Sequence, residues 1–163
     1  MGFSLHFVDL HPGFAEAVSR ELPWARATTG DIRTLGTAAS VAYVSPANGL
    51  GFMDGGVDFA YSRDMFPGVE AAVKAEIRRH ALGHARVTRL GRPYQPVGSA
   101  LAVPAAGPAR PPGAWLISAP TMFLPHDVSG TRNAYHAFMA ALMLARKLGV
   151  DELVCPALCY MAG

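Results

Sequence analysis

VAYVSPANGLGFMDGGVDFAY, residues 41–61, decides how the rest of the chain is read. Residues 41–44 form a short apolar run with two β-branched members, the pattern of a buried strand, and Ser45-Pro46 ends it because proline cannot donate to a strand ladder. Asn48 therefore lies just past a strand end. Gly49, Gly51, Gly55 and Gly56 permit left-handed backbone and close approach of a ligand, and Val57-Asp58 opens a helix whose free N–H groups point back into the loop. Such a loop suits an anionic or polyhydroxylated ligand. Two carboxylates and an asparagine within it argue against a turn made only for chain reversal.

The bulk composition excludes several classes. At 163 residues with 51% hydrophobic residues, the sequence reads as a single domain over residues 1–163, able to bury roughly 70% of the surface its unfolded chain exposes. Fourteen basic residues against 12 acidic ones give a formal charge of +2 and a pI near 8.7, too weak a bias to name a partner. The two cysteines, Cys155 and Cys159, make neither a disulfide framework nor a complete zinc site, so no metal is expected and a reducing cytoplasm is the default. The first residues read as mature protein with no secretory leader. Neither a myristoyl nor a prenyl anchor is supported, and the longest apolar stretches fall short of the roughly 20 residues a membrane span needs.

Elements alternate along the chain. Residues 4–9 read as a strand, and His11-Pro12 starts a helix with Phe14, Val18 and Leu22 on one stripe, closed by Pro23. Residues 25–29 are a second strand running into Gly30-Asp31-Ile32, where an acceptor-only carboxylate beside an apolar wall suits an amine-bearing ring. Val69, Val73 and Ile77 make the stripe of a helix over residues 67–83, with Gly83 at its C-cap position. Arg78, Arg79, His80, His84, Arg86, Arg89 and Arg92 then form a basic run without interleaved aromatics, read as a solvated helix end and loop rather than an RNA contact.

Strands are expected over residues 98–103 and 114–119, separated by an exposed Pro/Gly-rich loop. Residues 133–148 form an amphipathic helix with Ala134, Phe138, Ala141, Leu142, Ala145 and Leu148 on one face and Gly149 as terminator; His136 lies off that stripe, on the surface. ELVC, residues 152–155, is the last strand, and its end begins a second ligand loop. No repeat, Walker lysine motif, nucleophile elbow or HExxH helix is present. The alternation predicts an α/β sandwich with a mostly parallel sheet that binds ligands outside the carboxyl ends of its strands.

VSPANGLGFMDGGVD resembles the first ligand loop of macro domains, modules that bind ADP-ribose, and is most similar to a branch common in phages and bacteria. GDI at residues 30–32 and the pair PVGSALAVPA and WLISAPTM are similar to the same branch, so the resemblance runs from Leu5 to about Pro156. It implies a three-layer α/β/α sandwich with a mostly parallel mixed sheet. It also implies ADP-ribose or an ADP-ribosylated macromolecule as partner, with no cofactor and no membrane. Asp31 and Ile32 match the adenine contact, Asn48 the asparagine on the distal ribose, and Gly55, Gly56 and Val57 the backbone cradle. Asp58, ten residues after Asn48, matches the aspartate that orients or deprotonates water in members that hydrolyse mono-ADP-ribose esters. As a residue type it could equally cap the helix opening there.

The departure from the family is at the end, where a glycine-rich diphosphate loop and a final helix are expected and the chain reads PALCYMAG. Leu158, Cys159, Tyr160 and Met161 match the loop that should close on the diphosphate, but their Cβ atoms penalise positive φ by about 1 kcal/mol or more per site. A missing last helix predicts an uncovered apolar face and dimerisation or poor solubility. Two alternatives to ADP-ribose binding and hydrolysis stay open: a degenerate macro fold serving as a non-catalytic interaction module, and RNA or poly(ADP-ribose) binding through the run Arg78 to Arg92.

Overall fold

The apolar runs become strands of one sheet. The structure is a computed structural model that describes residues 2–36, 38–84, 86–107 and 112–159. Strands β1 (Ser4–Asp9), β2 (Arg26–Thr29), β3 (Val41–Ser45), β4 (Leu101–Pro104), β5 (Trp115–Ser118) and β6 (Glu152–Pro156) are arranged in the order β2-β1-β6-β3-β5-β4. Every neighbouring pair is parallel except β4 and β5. Helices α1 (Pro12–Glu21), α2 (Gly56–Phe59), α3 (Val69–His84) and α4 (Asn133–Leu148) supply the crossovers. The result is the mixed, mostly parallel α/β sandwich that the sequence implies.

Strand β3 sits inside this sheet with all five residues at 0% exposure, and its alternate side chains feed two separate cores. Val41 and Tyr43 pack with Val69, Val73 and Ile77 of α3, whereas Ala42 and Val44 pack with Val18 of α1 and with Ala137, Ala141 and Ala145 of α4. A strand buried on both faces has no polar side, which is why its sequence reads as a continuous apolar run. The period-two alternation is what places helices on both faces.

Several local expectations are corrected. Helix α3 continues through Gly83 to His84, so that glycine is not its cap. Strand β4 begins at Leu101, after a turn with Gly98 at φ 85. The buried seam of α4 is Ala137, Ala141 and Ala145; Ala141 and Ala145 belong to the expected stripe, whose Phe138, Leu142 and Leu148 pack partly buried on the same core, but Ala137 rather than Ala134 heads it, and small side chains let the helix lie close on the sheet. Gly149 does end α4, at φ 71, with its N–H bonded to the carbonyl of Arg146. Among the described residues no helix is long and apolar enough to cross a membrane. Residues 160–163, which bear on the expected missing last helix, lie outside the described residues.

The helix expected from Val57-Asp58 continues past α2, but with a winding that no sequence signal gives. Residues Ala60–Met65 are π-helical, with the N–H of Phe66 reaching back to the carbonyl of Tyr61 at 2.8 Å. Two buried hydroxyls fix this wider turn. Tyr61 donates to the carbonyl of Val44 at 2.9 Å and Ser62 to that of Met53 at 2.8 Å, tying the segment to the end of β3 and to the following loop.

Gly36 illustrates how tightly the first core is closed. Its φ is 81, and a Cβ there would fall 1.9 Å from the hydroxyl of the fully buried Tyr43, which donates to the carbonyls of Leu35 and Gly36. Left-handed strain and overpacking together should make Gly36→Ala about 2–4 kcal/mol less stable. Thermal unfolding should register that as a drop on the order of 5–15 °C; a variant melting with the parent would contradict the packing described.

Candidate functional site

A cleft of about 750 Å³ opens across the carboxyl ends of the parallel strands, with walls from the loops after β1, β2, β3, β5 and β6. Its position follows from the topology, because loops leaving neighbouring parallel strands on the same side converge at one end of the sheet. The first wall is the glycine-broken loop. Asn48 is nearly buried, and its side chain holds that loop: Oδ1 accepts from the N–H groups of Leu50 and Phe52 at 3.1 and 3.2 Å, and Nδ2 donates to the Phe52 carbonyl at 2.9 Å. Gly51, at φ 74, allows the turn, and a Cβ there would meet Ile77 at 2.8 Å. Gly49 bonds to the carbonyls of Met122 and Phe123, fixing the loop to the one after β5.

Asp58 comes next, and the structure decides how it is held. The N-cap of α2 is Gly55, in extended conformation, so Asp58 is not the cap. Instead its carboxyl turns to strand β3, where Ser45 Oγ donates to Oδ1 at 2.5 Å. Both groups are buried, Ser45 at 0% and Asp58 at 8% exposure, yet Asp58 also lines the cleft. Burial pushes its pKa up to about 7, against the lowering effect of the Ser45 hydrogen bond, with Asp54 and Glu70 adding repulsion. Gly55, Gly56 and Val57 line the same wall, Gly56 at φ 56.

At the far side, the end of β2 gives Asp31, Ile32 and Arg33. Asp31 caps a short 3-10 turn, Ile32–Thr34, by accepting from the N–H of Arg33 at 2.9 Å. Arg33 then folds back on it. Its Nε donates to both carboxylate oxygens at 3.0 and 2.9 Å and its Nη2 to Oδ2 at 2.5 Å, while Nη1 reaches Asp64 of the π-helical segment at 2.6 Å. These hydrogen bonds hold the Asp31 carboxyl below the usual carboxylate range. Ile32 is buried against the first core and lines the cleft.

The second expected loop is only partly in the cleft. Cys159 lines it and takes φ 60, so a side-chain-bearing residue adopts the conformation that the sequence reading penalised. Its thiol lies by the hydroxyl of Thr121 and the N–H of Ala134, and burial raises its pKa. Leu158 instead packs against the core under α1 and α4, where an apolar side chain gains more than it would at a polar ligand. Tyr160 and Met161 lie outside the described residues. Among the described residues no group of three or more His, Cys, Asp or Glu side chains is placed to hold a metal ion.

The cleft thus brings together Asp31, Ile32, Asn48, Gly55, Gly56, Val57, Asp58 and Cys159. Three participants were not read from the sequence. Ser45 falls on the same parity as Val41 and Tyr43, so a polar residue there had to face the α2 side, and that signal was available. Arg33 stands two residues after Asp31, within reach of a side chain curling back over a short turn. Phe52 lines the cleft under Lys74, whose Nζ lies 4.4 Å from the ring centroid, a contact with no local sequence signature.

Solved structures share this architecture. The macrodomain of Mycobacterium tuberculosis DarG is 20% identical, matching 83% of this chain and 77% of its own with a TM-score of 0.58. A mutant Oceanobacillus iheyensis macrodomain with ADPR is 18% identical, over 82% of this chain and 65% of that one, also at 0.58. Thermosipho africanus DarTG in complex with ADP-ribose is 13% identical, over 98% of this chain and 46% of that one, at 0.59. No family model matches the sequence, and neither does any curated protein. The chain has the macrodomain fold.

The buried carboxyl has a consequence for stability. A group whose folded pKa stands near 7, above its ordinary value of 3.8, stabilises the fold fully below about pH 4, and that contribution is lost as pH rises to about 7. Asp58→Asn cannot ionise. The melting temperature of the parent should therefore fall relative to that of the variant between pH 4 and 7, and parallel profiles across this window would mean that Asp58 is not held in a dry environment.

Proposed function

We propose that the chain binds ADP-ribose along this cleft and hydrolyses the bond between its distal ribose and an attached group, with Asp58 as the base. The observation that carries the reading is Asp58 itself: a carboxyl in the cleft wall, pushed to about 7 and held at 2.5 Å by a serine at the end of the central strand. A base with a pKa near the working pH is half ionised and still basic enough to take a proton. Two structures of like fold, the DarTG chain and the Oceanobacillus macrodomain, contain ADP-ribose. Likeness of fold supports the ligand assignment; the chemistry rests on the residues.

In this reading the distal ribose lies against the loop held by Asn48, whose Nδ2 has one hydrogen beyond the bond to Phe52. Backbone N–H groups of Gly55, Gly56 and Val57 cradle the diphosphate. Asp58 takes a proton from water as the water oxygen bonds the anomeric carbon; the bond from that carbon to the attached group breaks, and the leaving oxygen or nitrogen takes a proton from Asp58 or from solvent, which returns Asp58 to its carboxylate form. Ser45 is the positioning residue.

A second reading concerns the attached group. No aspartate or glutamate occurs between Glu76 and Asp127, a span that carries six arginines. Within it a small hairpin, closed by Thr88 and Arg92 and bridged at Val87 and Pro93, exposes Arg86, Arg89 and Arg92. The aromatic partner absent from the sequence run comes from elsewhere: Phe123 meets Tyr94 edge-on at 5.6 Å, beside a cavity lined by Val87 and Pro96. Arginines and rings together favour a nucleic-acid carrier of the ADP-ribose over a solvated loop.

Release of ADP-ribose from mono-ADP-ribosylated substrates tests the main reading. The rate should rise with pH through about 7, Asp58→Asn should lower it on the order of 10²-fold while ADP-ribose affinity by calorimetry stays near that of the parent, and Ser45→Ala should move the midpoint to higher pH. Parent protein that binds ADP-ribose but releases none from ester, glycosidic or nucleic-acid linkages would leave a binding module. For the second reading, affinity for a single-stranded oligonucleotide should fall steeply with salt; salt-independent or absent binding would return the hairpin to plain solvated surface.

A further inference from the structure

Gln95 is a buried amide in a stretch without regular structure. It stands between Tyr94 and Pro96 at 5% exposure, where an amide left without partners would be costly. Its partners come from the end of β5 and the turn before β4. Nε2 donates to the carbonyls of Ser118 and Ser99 at 2.9 and 3.3 Å, and Oε1 accepts from Ser118 Oγ at 2.9 Å. Ser118 is the last residue of β5 and the register partner of Ser45 in β3, and both are fully buried. Two neighbouring strand ends thus carry one buried serine each, the first bonded to Asp58 and the second to Gln95.

The backbone of Gln95 carries this anchorage to the cleft. Its N–H donates at 2.7 Å to the carbonyl of Gly49, the residue after Asn48. Gly49 in turn donates to the carbonyls of Met122 and Phe123, so it is clamped between the loop after β5 and the Gln95 segment. The approach is too close for a side chain: a Cβ at Gly49 would fall 2.7 Å from the Gln95 carbonyl oxygen, a backbone atom that cannot swing aside. Resting on the ADP-ribose reading above, we propose that Gln95 is a positioning residue for the ribose end of the cleft, holding Gly49 and, through it, the Asn48 side chain that meets the distal ribose. Gln95 itself does not line the cleft. It acts at one end only, because Asp31 and Ile32 follow β2, four strands away from β5 in the sheet order.

A residue that only fills the core and one that places Asn48 differ in which part of the ligand they affect. ADP carries the base and the diphosphate but no distal ribose, so the ratio of ADP-ribose to ADP affinity isolates the ribose end. Calorimetry on the whole chain should show the parent binding ADP-ribose roughly tenfold or more tightly than ADP. Gln95→Met keeps the length of the side chain without its hydrogen bonds, and it should weaken ADP-ribose about fivefold to tenfold while ADP stays within about twofold of the parent. Ser118→Ala removes only the hydroxyl bond to Oε1 and should lower the ratio about twofold to threefold. Thermal melts identify which variants fold, and Ser118→Ala decides the matter if Gln95→Met does not. A folded Gln95→Met protein with the parent's ratio, or in its place a Ser118→Ala protein with that ratio, overturns the inference and leaves the ADP-ribose reading standing. A parent that binds the two ligands alike also overturns it, since no ribose contribution then exists to be positioned. A folded parent that binds neither ligand overturns the ADP-ribose reading as well.

Discussion

The hydrogen bond between Ser45 and Asp58 is the contact on which the cleft depends. A hydroxyl at 0% exposure and a carboxyl at 8% are each costly to bury alone, and each removes the other's cost. Because Ser45 ends the central strand and Asp58 stands in the first turn of α2, the same bond fixes the helix on the sheet. The turn that follows is then set. Tyr61 and Ser62 donate to the carbonyls of Val44 and Met53, and the wider π-helical winding lets both hydroxyls reach their partners. A carboxyl kept dry beside an open cleft is the product of this packing.

The acidic charges around the cleft are partly offset by the fold. Asp9, Asp31, Asp54, Asp58 and Asp64 all line it, an unpromising wall for a diphosphate. The structure pairs two of the five with one cation and keeps a third protonated below about pH 7. Arg33 bridges Asp31 and Asp64, and burial keeps Asp58 protonated over much of the acid range. Asp9 is turned to the N–H of His11 at 2.9 Å. Formal charge read along the sequence therefore overstates the repulsion, because pairing and protonation are properties of the fold.

Legibility of the chain from its sequence followed the strength of its periodic signals. Strand β3, its glycine-broken loop and the Gly149 terminus of α4 were readable because each depends on local chemistry: an unbroken apolar run, residues that permit left-handed backbone, and a helix end that requires it. The glycine loop also placed Asn48 and Asp58 beside one cleft. What those residues do there was less legible. Whether Asp58 caps or points inward depended on where α2 starts, and a shift of a residue or two in a helix start is below what periodicity resolves. The pairing of Asp31 with Arg33 was not legible, because nothing in GDI announces that the next side chain will fold back on it. The π-helical segment escaped notice since its cause is a pair of long-range hydroxyl bonds, and the aromatic beside the arginine hairpin comes from a loop some thirty residues further along the chain.

Cys159 shows what a loop gains by giving up glycine. At φ 60 it holds a conformation that costs a residue with a Cβ about 1 kcal/mol or more, yet that same Cβ narrows the set of conformations available to the unliganded loop. A glycine-rich closure is soft: it must be ordered each time a ligand arrives, at an entropic cost charged to affinity. The described part of the loop after β6 takes this strain at Cys159, with its thiol set against Thr121 and the first turn of α4 and its neighbour Leu158 packed on the core. At Cys159, then, a side chain rather than a glycine sets the backbone, and the segment leaving β6 has fewer conformations open to it than a glycine would allow.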